Sequence, residues 1–343
     1  MGWRTLGTVA AAVVATMATE TMATATPASA ATPHWVVSAL PLPPGLEQGY
    51  VLASDGHGGY AGLMFADKGH DLVTWTDGKV TDHGLLPGSH FGFVWGESSA
   101  GTVLVAAAED SGEMKLYTVD ATGYHAVSTG QYTDIQRAVM GPRGDIAVQA
   151  GNPAEPQSSV VLYSSPLGQP GLRPLAGALP DSSPTAIDYD GTVLFSNDTS
   201  SYLLRNGVVR QLTTPPGYEN PYGMTIRHGV VVGEVGPIGL PGPQAMMWSA
   251  PGYVGTPLDH GAVARDVNAS GLIAGAEFEP RVPAGPAAVW QGTTFLTELP
   301  LLDGTSKASA RFVDDDGTVA GWSSEGSVDD GGRPVVWRLE SGV

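Results

Sequence analysis

Seven times along this chain a glycine-centred turn is followed, eleven to twenty residues later, by a strand carrying an aromatic residue. The turn glycines are Gly58, Gly101, Gly144, Gly191, Gly229, Gly271 and Gly317, at intervals of 38 to 47 residues. The aromatics are Trp75, Tyr117, Tyr163, Tyr202, Trp248, Trp290 and Trp337. A four-stranded β-propeller blade has this period, and an array of such blades closes around one axis instead of splitting into two domains. The predicted fold is therefore all-β, a seven-bladed β-propeller of four-stranded blades. Six blades is the competing count, because the fourth unit has the shortest interval and only Tyr202 as its aromatic.

The last repeat shows the unit most clearly. Residues Ala308 to Val313 read as the inner strand, Asp314-Asp315-Asp316-Gly317 as its turn, Thr318 to Trp322 as the second strand and Pro334 to Leu339 as the third. Glycine suits these turns because a tight hairpin needs a positive φ, and a preceding Asp or Asn supports the turn with side-chain hydrogen bonds. In other repeats an outer strand follows the aromatic one, as Val208 to Leu212 does after Asn206-Gly207, but the last repeat reaches Val343 without one. Trp35 to Leu40, followed by Pro43-Pro44-Gly45, matches Val208 to Leu212 followed by Pro215-Pro216-Gly217. Residues 35–40 are thus predicted to complete the blade begun by residues 308–339, removing the exposed edges of an open ring. The recurring aromatics are assigned to packing between blades. Trp95 and Trp322 stand outside that set and are candidates for a surface platform.

Arg4, the apolar run from Leu6 to Met17 and the small residues Ala28-Ser29-Ala30 have the order of a secretory signal peptide. Residues 1–30 are expected to be cleaved, leaving residues 31–343 as one propeller domain, secreted and extracellular. The apolar run is too short to span a bilayer, and no later segment reaches roughly 18 unbroken apolar residues. With no cysteine, the fold must rely on its core rather than on disulfides. The net charge of −18, from 34 Asp and Glu against 16 Lys and Arg, repels phosphate backbones and anionic headgroups. Nucleic acid and membrane insertion after signal cleavage are therefore not expected. A composition rich in Ala, Val, Thr and Gly and poor in Lys suits an actinobacterial exporter.

The segment Ala287 to Leu299, running through Asp303-Gly304-Thr305-Ser306 to Asp315-Asp316-Gly317-Thr318-Val319-Ala320-Gly321, resembles the HAF-repeat family of extracellular bacterial proteins. The shared order is an apolar tripeptide with Trp, a turn, an outer strand, a Gly/Ser loop and an inner hairpin ending in Gly; residues 244–339 carry it best. Gln244-Ala245, Pro286-Ala287 and Pro334-Val335 stand where that family has its histidine–alanine pair. The resemblance implies a secreted propeller and no particular activity.

Propeller ligands usually meet the face where the loops entering the inner strands converge on the central channel. Here those loops collect polar and aromatic residues, and His90, Tyr132, Asp134, Arg137, Tyr218, Glu219, Tyr222, His260 and Arg265 are the candidate ligand-binding residues. The ordinary reading of such side chains is that loops collect them anyway. Asp55 with His57, His70 with Asp71 and Asp82 with His83 fall on different turns of the first blade, so no transition-metal set is expected. Calcium is a weaker alternative to no cofactor at all, because Asp314-Asp315-Asp316-Gly317 and Asp188-Tyr189-Asp190-Gly191 gather oxygens on turns. No Gly-x-Ser-x-Gly elbow, phosphate-binding loop or cysteine is present. The expected function is non-catalytic binding of an extracellular glycan or protein partner by a monomer. The alternative is a glycosidase or polysaccharide lyase with an Asp/Glu-Tyr-His site at the channel mouth, for which Asp134 and Glu219 are the candidate catalytic pair.

Overall fold

All seven predicted turn glycines adopt a positive φ, between 75° and 95°, and each closes the hairpin between an inner strand and its neighbour. In this computed structural model, which describes residues 33–341 apart from 90, 110–111, 153, 167–170, 180–181, 240–241 and 279–284, the hairpins belong to seven four-stranded antiparallel sheets. The expected leader, residues 1–30, lies outside the described residues. The inner strands are Gly49–Ser54, Gly92–Glu97, Thr133–Met140, Ser183–Ile187, Tyr218–Arg227, Gly261–Val267 and Lys307–Val313, for blades 1 to 7 in order. Successive inner strands pack side by side, and the last packs against the first, so the ring is closed. The chain is a seven-bladed β-propeller. Blade 4 is a complete sheet spanning residues 183–211, which removes the six-blade count.

The N-terminal strand His34–Ala39 forms the outer strand of blade 7, pairing antiparallel with Arg333–Glu340 from His34↔Glu340 to Ala39↔Val335. The seam is extended by the Leu40 amide, which donates to the Pro334 carbonyl at 2.9 Å. The closure thus follows the prediction, with the strand one residue earlier at each end.

Each gap between adjacent blades holds its own hydrophobic cluster, and the repeated aromatics fill them. Trp337 of blade 7 packs on Leu272, Ala274 and Val289 of blade 6, and Trp75 of blade 1 packs on Ala320 and Val336 of blade 7. Trp248 and Trp290 fill the next gaps in the same way, and Tyr202 does so against Val139 and Val161. The four tryptophans also share a latch: each indole N–H donates to a carbonyl in the segment linking the preceding blade to its own. Trp75 reaches Pro41 at 2.7 Å, Trp248 reaches Thr213 at 2.9 Å, Trp290 reaches Asp259 at 2.7 Å and Trp337 reaches Pro300 at 2.7 Å. Burial of the ring and satisfaction of its one donor therefore come from the same neighbour. Tyr117 and Tyr163 are only partly buried; the Tyr163 hydroxyl donates within its own blade to Asp145 at 2.6 Å.

A second repeat lies inside the strands. All seven inner strands are bulged: blade 3 carries its extra residues, Asp134 and Gln136, near the start of the strand, and in the other six an extra, unpaired residue stands closer to the turn, namely Leu52, Trp95, Thr185, Met224, Arg265 and Arg311. In blades 1, 5, 6 and 7 the second strand meets this bulge with a glycine four residues after the turn glycine: Gly62, Gly233, Gly275 and Gly321. A Cβ on any of these would stand 1.9–2.1 Å from an inner-strand carbonyl oxygen. The bulge and the glycine are thus one device, in which the inner strand bends and the second strand has no side chain to oppose it.

Candidate functional site

A bulge turns an inner-strand side chain towards the propeller axis, and the six bulge residues closer to the turns form a ring of partly buried side chains around the channel. Five of them, from Leu52 through Arg265, line a central cavity of about 210 Å³ together with Glu97, Arg227 and Phe312. The two ends of this channel differ in chemistry.

The end at the inner hairpin turns is acidic, and its carboxylates tie blades to one another. Asp188 of blade 4 accepts from the His228 and Gly229 amides of blade 5, at 2.8 and 2.7 Å. Asp266 of blade 6 accepts from Val313 N at 3.0 Å, and Asp314 of blade 7 accepts from the Ser54 hydroxyl at 2.7 Å and from the Tyr60 hydroxyl. Arg227 reaches from blade 5 to the far turns, with Nη1 at 3.6 Å from Asp315 and close to Gly56. Of the acidic turns considered for calcium, Asp188, Asp314 and Asp315 thus staple one blade to another, while Asp190 and Asp316 accept from their own turn amides at Thr192 and Thr318. Burial, reinforced by the charges of Asp55 and Asp314, pushes the Glu97 carboxyl up to about 8, and burial pushes Asp314 up to about 6. Among the described residues no three His, Asp or Glu side chains converge as a metal set. Asp55 accepts from its own turn amides at His57 and Gly59, and His83 hydrogen-bonds Thr74 at 2.9 Å.

The end at the loops that enter the inner strands is aromatic and cationic. An unbroken chain of rings crosses blades 7, 1 and 2: Trp322, Tyr50, Phe65, His70, Phe91, Phe93 and Trp95, with neighbouring centroids 5.0–6.1 Å apart. Phe91 is 51% exposed and Phe93 40%, and Phe93 stacks on Trp95 with the ring planes 7° apart. At the opposite end of the arc, the Arg311 guanidinium lies 4.6 Å over Trp322. Arg265, the bulge residue of the adjacent blade, faces the same channel. Burial, and then the charge of Arg265, pull Arg311 down to about 9; burial also lowers Arg265, partly offset by Glu234 and Asp329.

The sequence-derived candidates distribute unevenly over this face. Arg265 is in the channel, and Tyr222 is half-buried on the neighbouring inner strand, paired across the sheet with Glu234, whose carboxyl is raised by burial against the pull of Arg265. Tyr132 and Tyr218 pack partly into inter-blade clusters. Asp134, Arg137, Glu219 and His260 are exposed, with the His260 ring 5.8 Å from Phe295. Asp134, Arg137, Tyr218, Glu219 and Tyr222 belong to the opening residues of inner strands, where bulges had made the sequence look like loop. No hydrogen bond or ion pair joins Asp134 to Glu219 among the described residues. His90 lies outside the described residues, next to Phe91. Trp95 joins the ring chain by stacking on Phe93, whereas Trp322, expected at the surface, is 1% exposed with its indole N–H donating to Val328 O at 2.8 Å, so it lies buried behind the chain. Sequence reasoning left Tyr50, Phe93, Glu234 and Arg311 off the candidate list. In blades 1, 2, 4, 6 and 7 the bulge stands six residues before the turn glycine, and reading that column would have found Trp95, Arg265 and Arg311 together.

No protein-family model and no curated protein matches the chain. Among solved structures it is similar to an oligogalacturonate lyase from Vibrio parahaemolyticus, with a TM-score of 0.57, 12% identity and coverage of 90% of this chain and 97% of that one. The β-propeller domain of the Trilobed protease from Pyrococcus furiosus gives 0.56 and 10%, over 86% of this chain and 97% of that one. The acylaminoacyl peptidase of Pyrococcus horikoshii gives 0.54 and 10%, and the match spans about half of that longer chain, 51%. These likenesses show the propeller fold.

Proposed function

We propose that this chain is a secreted, non-catalytic recognition propeller that acts as a monomer and binds an extracellular glycan through its loop-rich channel face. The observation that carries this reading is the aromatic arc, with Phe91 and Phe93 half-exposed and Trp95 stacked behind them. Apolar rings left open beside a polar channel offer faces for sugar C–H groups, and the groups around them offer hydrogen bonds that fix orientation. The kinship with HAF-repeat proteins belongs to the same proposal.

The second reading, a carbohydrate-active enzyme, is favoured by one feature: Glu234, Tyr222, Arg265 and Arg311 place titratable groups, three of them shifted by burial, around one channel mouth. A polysaccharide and cell-wall array read for binding, for reducing sugar and for unsaturated product separates the two. Recognition predicts binding without turnover, reduced at least tenfold by Phe91→Ala with Phe93→Ala. Turnover abolished by Asp134→Asn, Glu219→Gln or Glu234→Gln would assign an enzyme instead. A protein partner is indicated if no glycan binds and a pull-down from the culture fluid is lost in the same double variant.

A further inference from the structure

We propose that Arg265 and Arg311 form a seat for the carboxylate of an acidic sugar, so that the glycan bound by the aromatic arc is a uronic-acid polymer; this rests on the glycan-binding reading above. Both arginines are bulge residues of adjacent inner strands, placed on the channel by the same backbone device. Among the described residues neither guanidinium has an ion-pair partner within 4.0 Å, and Arg311 Nε is buried with no hydrogen-bond partner. Glu234 and Asp329 act on the pair electrostatically without forming an ion pair with either guanidinium.

Two like charges held side by side and partly out of water disfavour each other, and an anion between them relieves both desolvation and repulsion. That such a pair occurs in a chain of net charge −18 makes it a local exception to the surface around it. Arg311 is further fixed by its position over Trp322, so little side-chain freedom is lost when its fork engages a carboxylate. Glu234 neutralises part of the pair, which suits a singly charged carboxylate better than a dianionic phosphate. The ring chain from Trp322 to Trp95 starts at this guanidinium, so an oligosaccharide with its carboxylate in the seat has stacking surfaces leading away from it.

Titration calorimetry on the purified protein with a uronic-acid trisaccharide, and with the same trisaccharide reduced to primary alcohols, tests the seat. The acidic form should bind at least tenfold more tightly, and Arg265→Met and Arg311→Met should each bring the ratio of the two affinities to within twofold of unity. Arg311→Lys, which keeps the charge without the fork, should retain part of the preference, and melting curves identify any variant that fails to fold. Phe93→Ala should weaken both ligands equally. Equal affinity of the wild type for the two trisaccharides overturns the carboxylate seat and leaves glycan binding standing. Binding of neither trisaccharide, with a positive hit elsewhere on the array, also overturns the seat; no hit anywhere overturns both.

Discussion

Glu97 ends the inner strand of blade 2 with 5% of its surface exposed and one carboxyl oxygen buried without a partner. Its raised pKa, about 8 against an ordinary value of 4.5, means that the folded state holds a proton that the unfolded state releases. Between those two values the folded protein binds more protons, so stability falls as pH rises through the window; below about 4.5 both states are protonated and the full contribution is present. Asp314, raised to about 6, adds in the same direction at the lower end. Denaturant melts from pH 5 to pH 9 should therefore show a loss on the order of 5 kcal/mol, about 4 of it from Glu97. Glu97→Gln should remove most of the slope above pH 6 and leave the variant more stable than wild type at pH 8.5. A slope unchanged in Glu97→Gln would place the titrating group elsewhere. Arg311 contributes with the opposite sign: held below its ordinary value by burial, it gives up its proton more readily in the folded state, so its contribution to stability rises with pH through that range.

At the scale of the strand, the inner hairpin is the unit that the chain repeats, and its tightest constraint is the glycine opposite the bulge. Gly321 has the Ser309 carbonyl oxygen 1.9 Å from where a Cβ would stand, whereas Gly326 has no heavy atom within 4 Å. Backbone cannot move aside as a flexible side chain can, so Gly321→Ala should cost roughly 3 kcal/mol, while Gly326→Ala should stay within about 0.5 kcal/mol. Equal melting midpoints for the two would refute the close-approach argument. Turn glycines, latch tryptophans and the strand His34–Ala39 were legible in sequence because each answers to a local rule that recurs every blade: a positive φ, an aromatic to fill a gap, an alternating strand with a prolyl exit. The site was less legible for a physical reason. Bulges shift the alternation by one residue, so Arg137 and Glu219 looked like loop, and the channel position holds Leu52, Trp95, Thr185 and Arg311 in different blades with no shared chemistry to mark it. What the face can bind depends on how blades 7, 1 and 2 juxtapose Trp322, Tyr50 and Phe93, and that is a property of the closed ring.

Closure of that ring is concentrated in one junction, where the chain's first and last strands meet. The outer strand of blade 7 is His34–Ala39, the Trp75 latch of blade 1 ends on Pro41, and the buried Asp314 of blade 7 is held by Ser54 and Tyr60 of blade 1. The aromatic arc crosses the same junction through the Trp322–Tyr50 contact at 5.3 Å, so the integrity of the closure and the geometry of the site are coupled. Removing residues up to Leu40 should leave the backbone edge of Arg333–Glu340 unpaired, beside Leu339, which is already 56% exposed. An open edge recruits another copy. The truncated protein should melt about 10 °C lower, as a loss of a few kcal/mol implies for a chain of this size, and should self-associate in a concentration-dependent way. A synthetic peptide of residues 33–41 should restore both the monomer and the melting temperature by adding back the missing strand. Glycan affinity should fall with truncation and return with the peptide, although no residue of the arc is deleted. If the truncated chain stays monomeric at unchanged melting temperature, the remaining contacts between blades 7 and 1 suffice to close the ring, and the N-terminal strand serves only to cover an edge.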